Sequence, residues 1–275
     1  MQTKHIVAIA VVIAVIIVGV MIGIGMRGPI SGGSVGVVEI DNIIYTPKYI
    51  VSDLNDFGDD PSIKAIILRI NSPGGVVAAS QEIYDAVKRQ QEKKPVIASM
   101  ESVAASGAYY IALPSDIIVA NPGTVTGSIG VIMEWPVLEK LLQKLGIEFE
   151  VIKSREHKDM GSSHRRLNEK ERKLMQDVVT DVHEQFVRVT SEHRNIPIDS
   201  VIKYADGRVF TGNQAKALGF VDTLGSFDFA VELAGNLVNI EEPHLVYPAR
   251  RLSLVDLFVK PMEQLTIPKL YFLWR

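Results

Sequence analysis

The chain has 275 residues, 47% hydrophobic and 22% charged, with a formal net charge of −3 and no cysteine. That balance excludes a disordered chain and a basic nucleic-acid-binding surface; the missing thiols exclude disulfides, thiolate zinc sites and a cysteine nucleophile. The length admits one large domain or two small ones, and a mean hydropathy of +0.17 is high for this charge content, so the apolar residues must be concentrated.

They are concentrated at the N-terminus. Ile6 to Met26 are 21 residues without a charge, bracketed by Lys4 and Arg27. A run of about 20 apolar residues matches a bilayer core. It is longer than the apolar stretch of a cleavable leader, and no small-x-small cleavage pattern follows. The expectation is an uncleaved transmembrane signal anchor over residues 1–28, a linker over 29–34, and a domain on the extracytoplasmic side of a plasma membrane. Flanking charge gives no decisive bias, so that orientation rests on the short N-terminal tail. A second uncharged stretch of spanning length is absent, which excludes a polytopic protein. Gly23, Gly25 and Gly28 match G-x-G-x-x-G, but no strand precedes them, so no dinucleotide site is expected.

After the linker, strand-like and helix-like segments alternate. Val35–Asp41 and Ile63–Ile70 read as short strands. Ala79–Lys93 reads as an amphipathic helix with Ile83, Tyr84 and Val87 on one face. Pro95–Met100, Asp116–Ala120 and Ser128–Met133 read as strands. Val137–Leu145 reads as a helix closed by Gly146, and Glu148–Lys153 as a strand. Asn168–Arg194 is the longest helix, with Asn168 as its cap. Apolar strands alternating with helices predict βαβ units and a largely parallel sheet. Residues 246–275 form a tail with aromatic and basic residues. It suits an oligomer contact, a membrane surface, packing on its own domain, or entry into an active-site groove.

Metal chemistry has no motif to stand on. His183 precedes Glu184, but position 187 is valine, so H-E-x-x-H is not formed. G-x-S-x-G is also missing. Asn71-Ser72-Pro73-Gly74-Gly75 lies between a strand and a helix, where glycine lets backbone N–H groups approach an oxyanion. A plain β–α turn reads equally well. Ala104-Ala105-Ser106-Gly107-Ala108-Tyr109-Tyr110 sets one serine before a helix-like run, which fits a nucleophile or a small-residue helix packed on a sheet. A serine nucleophile needs a base. None of the six histidines stands in a motif. The other option is a lysine amine kept neutral by burial. Lys158 follows a strand and precedes the long helix, although alone it reads as a surface lysine.

Taken together, these segments resemble the signal peptide peptidase A family of membrane-anchored Ser/Lys peptidases, in its single-length form. The similarity runs from about Val35 to Gly225. Asn71 to Gly75 match the family's oxyanion loop, and Ala104 to Tyr110 its nucleophile segment. Thr126-Gly127-Ser128-Ile129-Gly130-Val131 matches TGS(I/L)GV. The stretch from Lys153 to Met160 matches KSG-x-x-KD, although Arg155-Glu156 stand where relatives often have small residues. Asp206 to Gly212 and Ala215 to Asp222 match the DGRV(Y/F) block and its continuation.

The resemblance implies the crotonase/ClpP-like α/β fold of stacked ββα units over residues 35–245. It implies Ser106 as nucleophile, Lys158 as base 52 residues later, the N–H groups of Gly75 and Gly107 as oxyanion donors, and Ser128 as the residue that orients the lysine. No cofactor or metal is implied. The implied partners are the membrane, hydrophobic peptides such as signal-peptide remnants, and further copies in a ring whose sites two subunits share. Three competing readings remain: a stomatin-linked type of membrane protease, an acyl-CoA enzyme on the same fold, and an inactive scaffold.

Overall fold

The computed structural model describes residues 33–249 and 269–274. The signal-anchor expectation and its glycine motif, and most of the C-terminal tail, lie outside the described residues. Among the described residues no helix is long and apolar enough to cross a membrane.

In chain order the elements are β1 (Ser34–Asp41), α1 (Lys48–Asp59), β2 (Ile63–Ser72), β3 (Gly74–Val76), α2 (Val77–Gln91), β4 (Val96–Ala105), α3 (Gly107–Ala112), β5 (Ile117–Ala120), β6 (Val125–Gly127), β7 (Ile132–Glu134), α4 (Glu139–Lys144), α5 (Glu169–Arg194), α6 (Ile198–Ile202), β8 (Val209–Thr211), α7 (Gly212–Ala217), β9 (Thr223–Leu224), α8 (Phe227–Leu237), β10 (His244–Val246) and β11 (Lys269–Leu273). The main sheet runs β10-β1-β2-β4-β5-β9 with every neighbouring pair parallel. β6 joins it parallel to β4, and β8 lies antiparallel to β6. A small antiparallel sheet has the order β3-β11-β7.

The main sheet is covered on both faces, which is why its strands are apolar runs rather than alternations. Val38, Ile40, Ile66, Leu68 and Ile70 face the helices that carry Leu54, Ile83, Val87 and Phe186. Val35, Ala65, Ile67, Ile97 and Val119 face Ala230 and Ala234 of α8.

Three strand expectations are corrected. β4 runs on to Ala105, because its last three residues gain β6 as a partner. Ser128–Met133 is not one strand: Ser128 has φ 51° and turns the chain, and pairing resumes only in β7. Glu148–Lys153 forms no strand and is exposed, with Phe149 and Ile152 facing solvent. Alternating apolar residues favour a strand only where an edge is offered to pair with.

The long helix forms as the sequence predicts. The Asn168 side chain accepts the Glu171 N–H (2.8 Å), and the Glu171 carboxylate accepts the Asn168 N–H (3.0 Å). Asn195 ends the helix at φ 52°, the left-handed cap that asparagine tolerates. At that end Arg194 donates to Asp222 (2.6 and 3.0 Å) and to the Gly219 carbonyl (2.9 Å). Asp222 in turn accepts the Ile118 N–H of β5 (2.8 Å). The pair therefore ties α5 to the main sheet. Asp222→Ala strands the nearly buried Arg194 guanidinium, and the expected loss is about 2–3 kcal/mol. Urea unfolding of the two proteins measures it as a lowered midpoint.

Candidate active site

β4 and β6 run parallel with Ala105 opposite Gly127. The next residue on each strand is a serine, so Ser106 and Ser128 lie side by side at the sheet's end. Both have left-handed backbones, at φ 55° and 51°. A residue held there costs about 1–3 kcal/mol and persists only where its surroundings over-determine it. Here they do. The Ser106 N–H donates to the Gly127 carbonyl (2.8 Å), and its carbonyl accepts the Tyr110 N–H (2.9 Å). The Ser128 N–H donates to the Arg208 carbonyl (2.9 Å), and the Gly207 N–H donates to the Ile129 carbonyl (3.1 Å). The Asp206-Gly207-Arg208 motif thus serves as the clamp that holds Ser128 in its turn. Ser106 is 1% exposed and sits between a buried strand and α3. This is the strand–turn–helix geometry of a nucleophile elbow without its G-x-S-x-G signature.

The glycine loop supplies a cage beside it. A Cβ on Gly75 would lie 2.0 Å from the Ile44 carbonyl oxygen, so only glycine fits there. The Ile44 N–H donates to Gly74 (2.9 Å) and Val76 donates back to Ile44 (2.7 Å). Those bonds turn the N–H and C=O of Gly75 itself to the other side, toward β11. There Phe272 stands opposite Gly75. The Trp274 N–H donates to the Pro73 carbonyl (2.9 Å), and antiparallel pairs alternate. Phe272 and Gly75 therefore form the pair that exchanges both bonds, and the Gly75 N–H donates to the Phe272 carbonyl. Gly74, at φ 100°, crowds the same oxygen: a Cβ on it would lie 2.1 Å from Phe272 O and 2.7 Å from Gly107 N. A Cβ on Gly107 would lie 3.0 Å from that oxygen. One extended segment, β11, thus lies between β3 and β7, antiparallel to both, with a carbonyl enclosed by glycines next to Ser106.

Past Ser128 a cavity of about 490 Å³ opens, lined among others by Val131, Thr180, His183 and Trp274. Among the described residues no group of three or more histidine, aspartate or glutamate side chains is placed to hold a metal ion.

The sequence profile of Peptidase family S49 matches residues 88–241, and that of Clp protease matches residues 46–118. The chain belongs to peptidase family S49. The S49 match covers Ser106, Ser128 and Lys158, and the Clp match covers the glycine loop and Ser106. A candidate protease of Synechocystis sp. is 44% identical over 183 residues, 66% of this chain and 66% of the relative. One from Methanocaldococcus jannaschii is 37% identical over 199 residues, 72% of this chain and 64% of the relative. The chloroplastic serine protease SPPA of Arabidopsis thaliana is 34% identical over 215 residues, 76% of this chain and 32% of the relative. The chain thus spans less than two thirds of the length of each of these relatives.

Lys158 of this S49 chain is not where a buried base would be. It is exposed, in a turn after Arg155, and no side-chain bond joins it to Ser106 among the described residues. The structure brings Ser106, Ser128, Gly75 and Gly107 together and leaves the lysine outside that group. Its segment is nevertheless held firmly. Asp159, the next residue, accepts from Lys153 (2.8 Å) and from Arg165 (2.9 and 2.7 Å). Arg165 also donates to both oxygens of Glu171 (2.8 and 2.7 Å), the buried capping residue of α5. Sequence reasoning missed this cluster. Its only signal is one acid, one arginine and one acid at positions 159, 165 and 171, and nothing in that spacing distinguishes it from a solvated charge run.

The Arg165 hydrogen bonds hold the Glu171 carboxyl down to about 2, and Arg165 followed by Lys153 holds Asp159 below its ordinary value. Both carboxyls are depressed on folding, so their contribution is fully present above the ordinary carboxylate range and fades as pH falls toward 2. The protection of amides in residues 153–165, taken relative to the intrinsic exchange rate at each pH, is expected to hold from neutral pH down to about 5 and to fall below about 4. In Arg165→Met the same amides should already have lost that protection at neutral pH.

Proposed function

We propose that this chain is a membrane-anchored serine endopeptidase that uses Ser106 as nucleophile and Lys158 as base, and that degrades hydrophobic peptides such as signal-peptide remnants. The observation that carries the reading is the Phe272 carbonyl, set in a glycine cage beside a strained, buried serine. An extended substrate would enter as β11 does, by adding a strand between β3 and β7. Ser106 attacks its carbonyl, and the oxyanion rests on the N–H groups of Gly75 and Gly107, each such donor being worth about 3–4 kcal/mol in the transition state. The lysine takes the serine proton, passes it to the leaving amine, and then activates the water that releases the acyl-enzyme. Ser128, level with Ser106, orients the amine. No metal or cofactor enters these steps.

A second copy of the chain is assigned the delivery of the lysine. Lys158 faces solvent, and the segment leading to it exposes Leu141, Leu145, Ile147, Phe149 and Ile152. An exposed apolar run of this kind marks a contact surface. A neighbouring copy packed there would carry its Lys158 into the cavity past Ser128, which favours a ring with shared sites. The similarity to Clp protease over residues 46–118 supports both that assembly and the crotonase/ClpP-like arrangement of stacked ββα units. The uncharged run from Ile6 to Met26 supports the anchor, and with it an extracytoplasmic site that meets apolar peptides as they leave the bilayer.

Ser106→Ala and Lys158→Ala should each lower peptide hydrolysis by about ten-thousand-fold. A mixture of the two inactive variants should regain activity, since one copy supplies the serine and its neighbour the lysine. Wild-type rates in Lys158→Ala would remove the lysine from the mechanism. A mixture that stays inactive while each variant still assembles would return both groups to one subunit.

A further inference from the structure

Resting on the reading of Ser106 as nucleophile, we infer that Tyr110 and Phe186 select an aromatic side chain at the residue that precedes the scissile bond. Phe272 occupies that position in the structure, because its carbonyl is the one enclosed beside Ser106. Its ring is fully buried. It stacks on Tyr110 at 5.2 Å between centroids and 27° between planes. It meets Phe186 at 4.7 Å and 54°. The two walls also touch one another, edge to face at 5.1 Å. Tyr84 backs Tyr110 at 5.0 Å, and its hydroxyl is fixed by a 2.6 Å hydrogen bond to His193.

This slot is shaped by the same residues that build the site. Tyr110 lies one turn after Ser106 on α3, so its ring is positioned by the nucleophile turn itself. Phe186 comes from the middle of α5. Gly107 leaves the entrance open, since a Cβ there would lie 3.1 Å from Phe272 Cβ and 2.6 Å from Ser80 Oγ. Offset and edge-on ring contacts favour an aromatic guest over an aliphatic one of equal area. Leucine would fill the slot in part. Alanine would leave a void lined by atoms that have lost their partners. A charged side chain would be desolvated against rings.

The test uses the unaltered full chain and one peptide sequence carrying Phe, Leu or Ala at a single site, with products read by mass spectrometry. The expected kcat/KM for cleavage after Phe exceeds that after Leu by about tenfold and that after Ala by about a hundredfold. Phe186→Leu should bring the Phe:Leu ratio close to one, whereas Tyr110→Phe, which keeps the ring, should preserve it. Calorimetric binding of the same peptides to the Ser106→Ala chain should follow the same order, and this reads the slot without turnover. Equal rates and equal binding for Phe and Ala, with cleavage still dependent on Ser106, would overturn this inference and leave the nucleophile standing. Cleavage that survives Ser106→Ala would remove the nucleophile and this inference together.

Discussion

Parallel pairing of β4 with β6, with Ala105 opposite Gly127, brings two serines level at the end of a buried sheet, and the rest of the site is arranged around that register. Neither serine could hold a left-handed backbone on its own preference. The Gly127 carbonyl fixes Ser106 from one side and the Arg208 carbonyl fixes Ser128 from the other. The strain is therefore supported by bonds from β6 and from the turn before β8, together with the Tyr110 N–H of the following helix. The same register explains why the segment around Ser106 is so small in side-chain volume. Ala104, Ala105 and Ala108 are fully buried, and Gly107 has Ser80 and Phe272 against it. From sequence, a nucleophile turn and a tightly packed small-residue helix read as alternatives. In the folded chain the two readings are compatible, because the serine turn held by hydrogen bonds sits among closely packed small residues.

The legible parts of this fold are those written locally. Asn168 and Glu171 announce the start of α5, and the apolar runs of β1, β2 and β5 announce strands that have no solvent face. Ser106 and the glycine loop were readable only as ordered motifs, since each alone admits a bland explanation. What stayed hidden depends on pairing between distant segments. The register that extends β4 to Ala105 requires β6 as a partner. The stretch from Glu148 to Lys153 has strand-like chemistry, yet the described residues offer it no edge. Arg165 joins two acids whose positions follow from a folded loop rather than from periodicity. The seat of β11 is a contact between positions 74 and 273, and no local signal encodes it.

A groove formed by two strand edges carries a built-in problem. Unpaired N–H and C=O groups on β3 and β7 are a template for any extended segment that reaches them. β11 satisfies both edges at once, and it does so with backbone bonds that are indifferent to side chains. Affinity from the ladder and selectivity from the pockets are thus separable. An incoming peptide would exchange one set of ladder bonds for an equivalent set, so the ladder itself gives it no advantage over β11. Whatever advantage it has must come from the side chain placed between Tyr110 and Phe186 or from residues beyond it.

α5 links these separate requirements. It has 26 residues, which at 1.5 Å per residue makes a rod of about 39 Å. Its first turn is bonded through Glu171 and Arg165 to the loop that carries Lys158. Its middle presents Phe186 to the groove, and its last turn is bonded through Arg194 and Asp222 to β5. The lysine loop, the ring of Phe186 beside Phe272 and the main sheet are therefore three fixed points on one rigid element. That arrangement matters most if the lysine serves a neighbouring copy. A base offered across an interface gains nothing from the folding of its own active site, so its position must be set by another part of its own subunit. The ion cluster at the start of α5 supplies that setting, and the helix refers it to the sheet that positions Ser106.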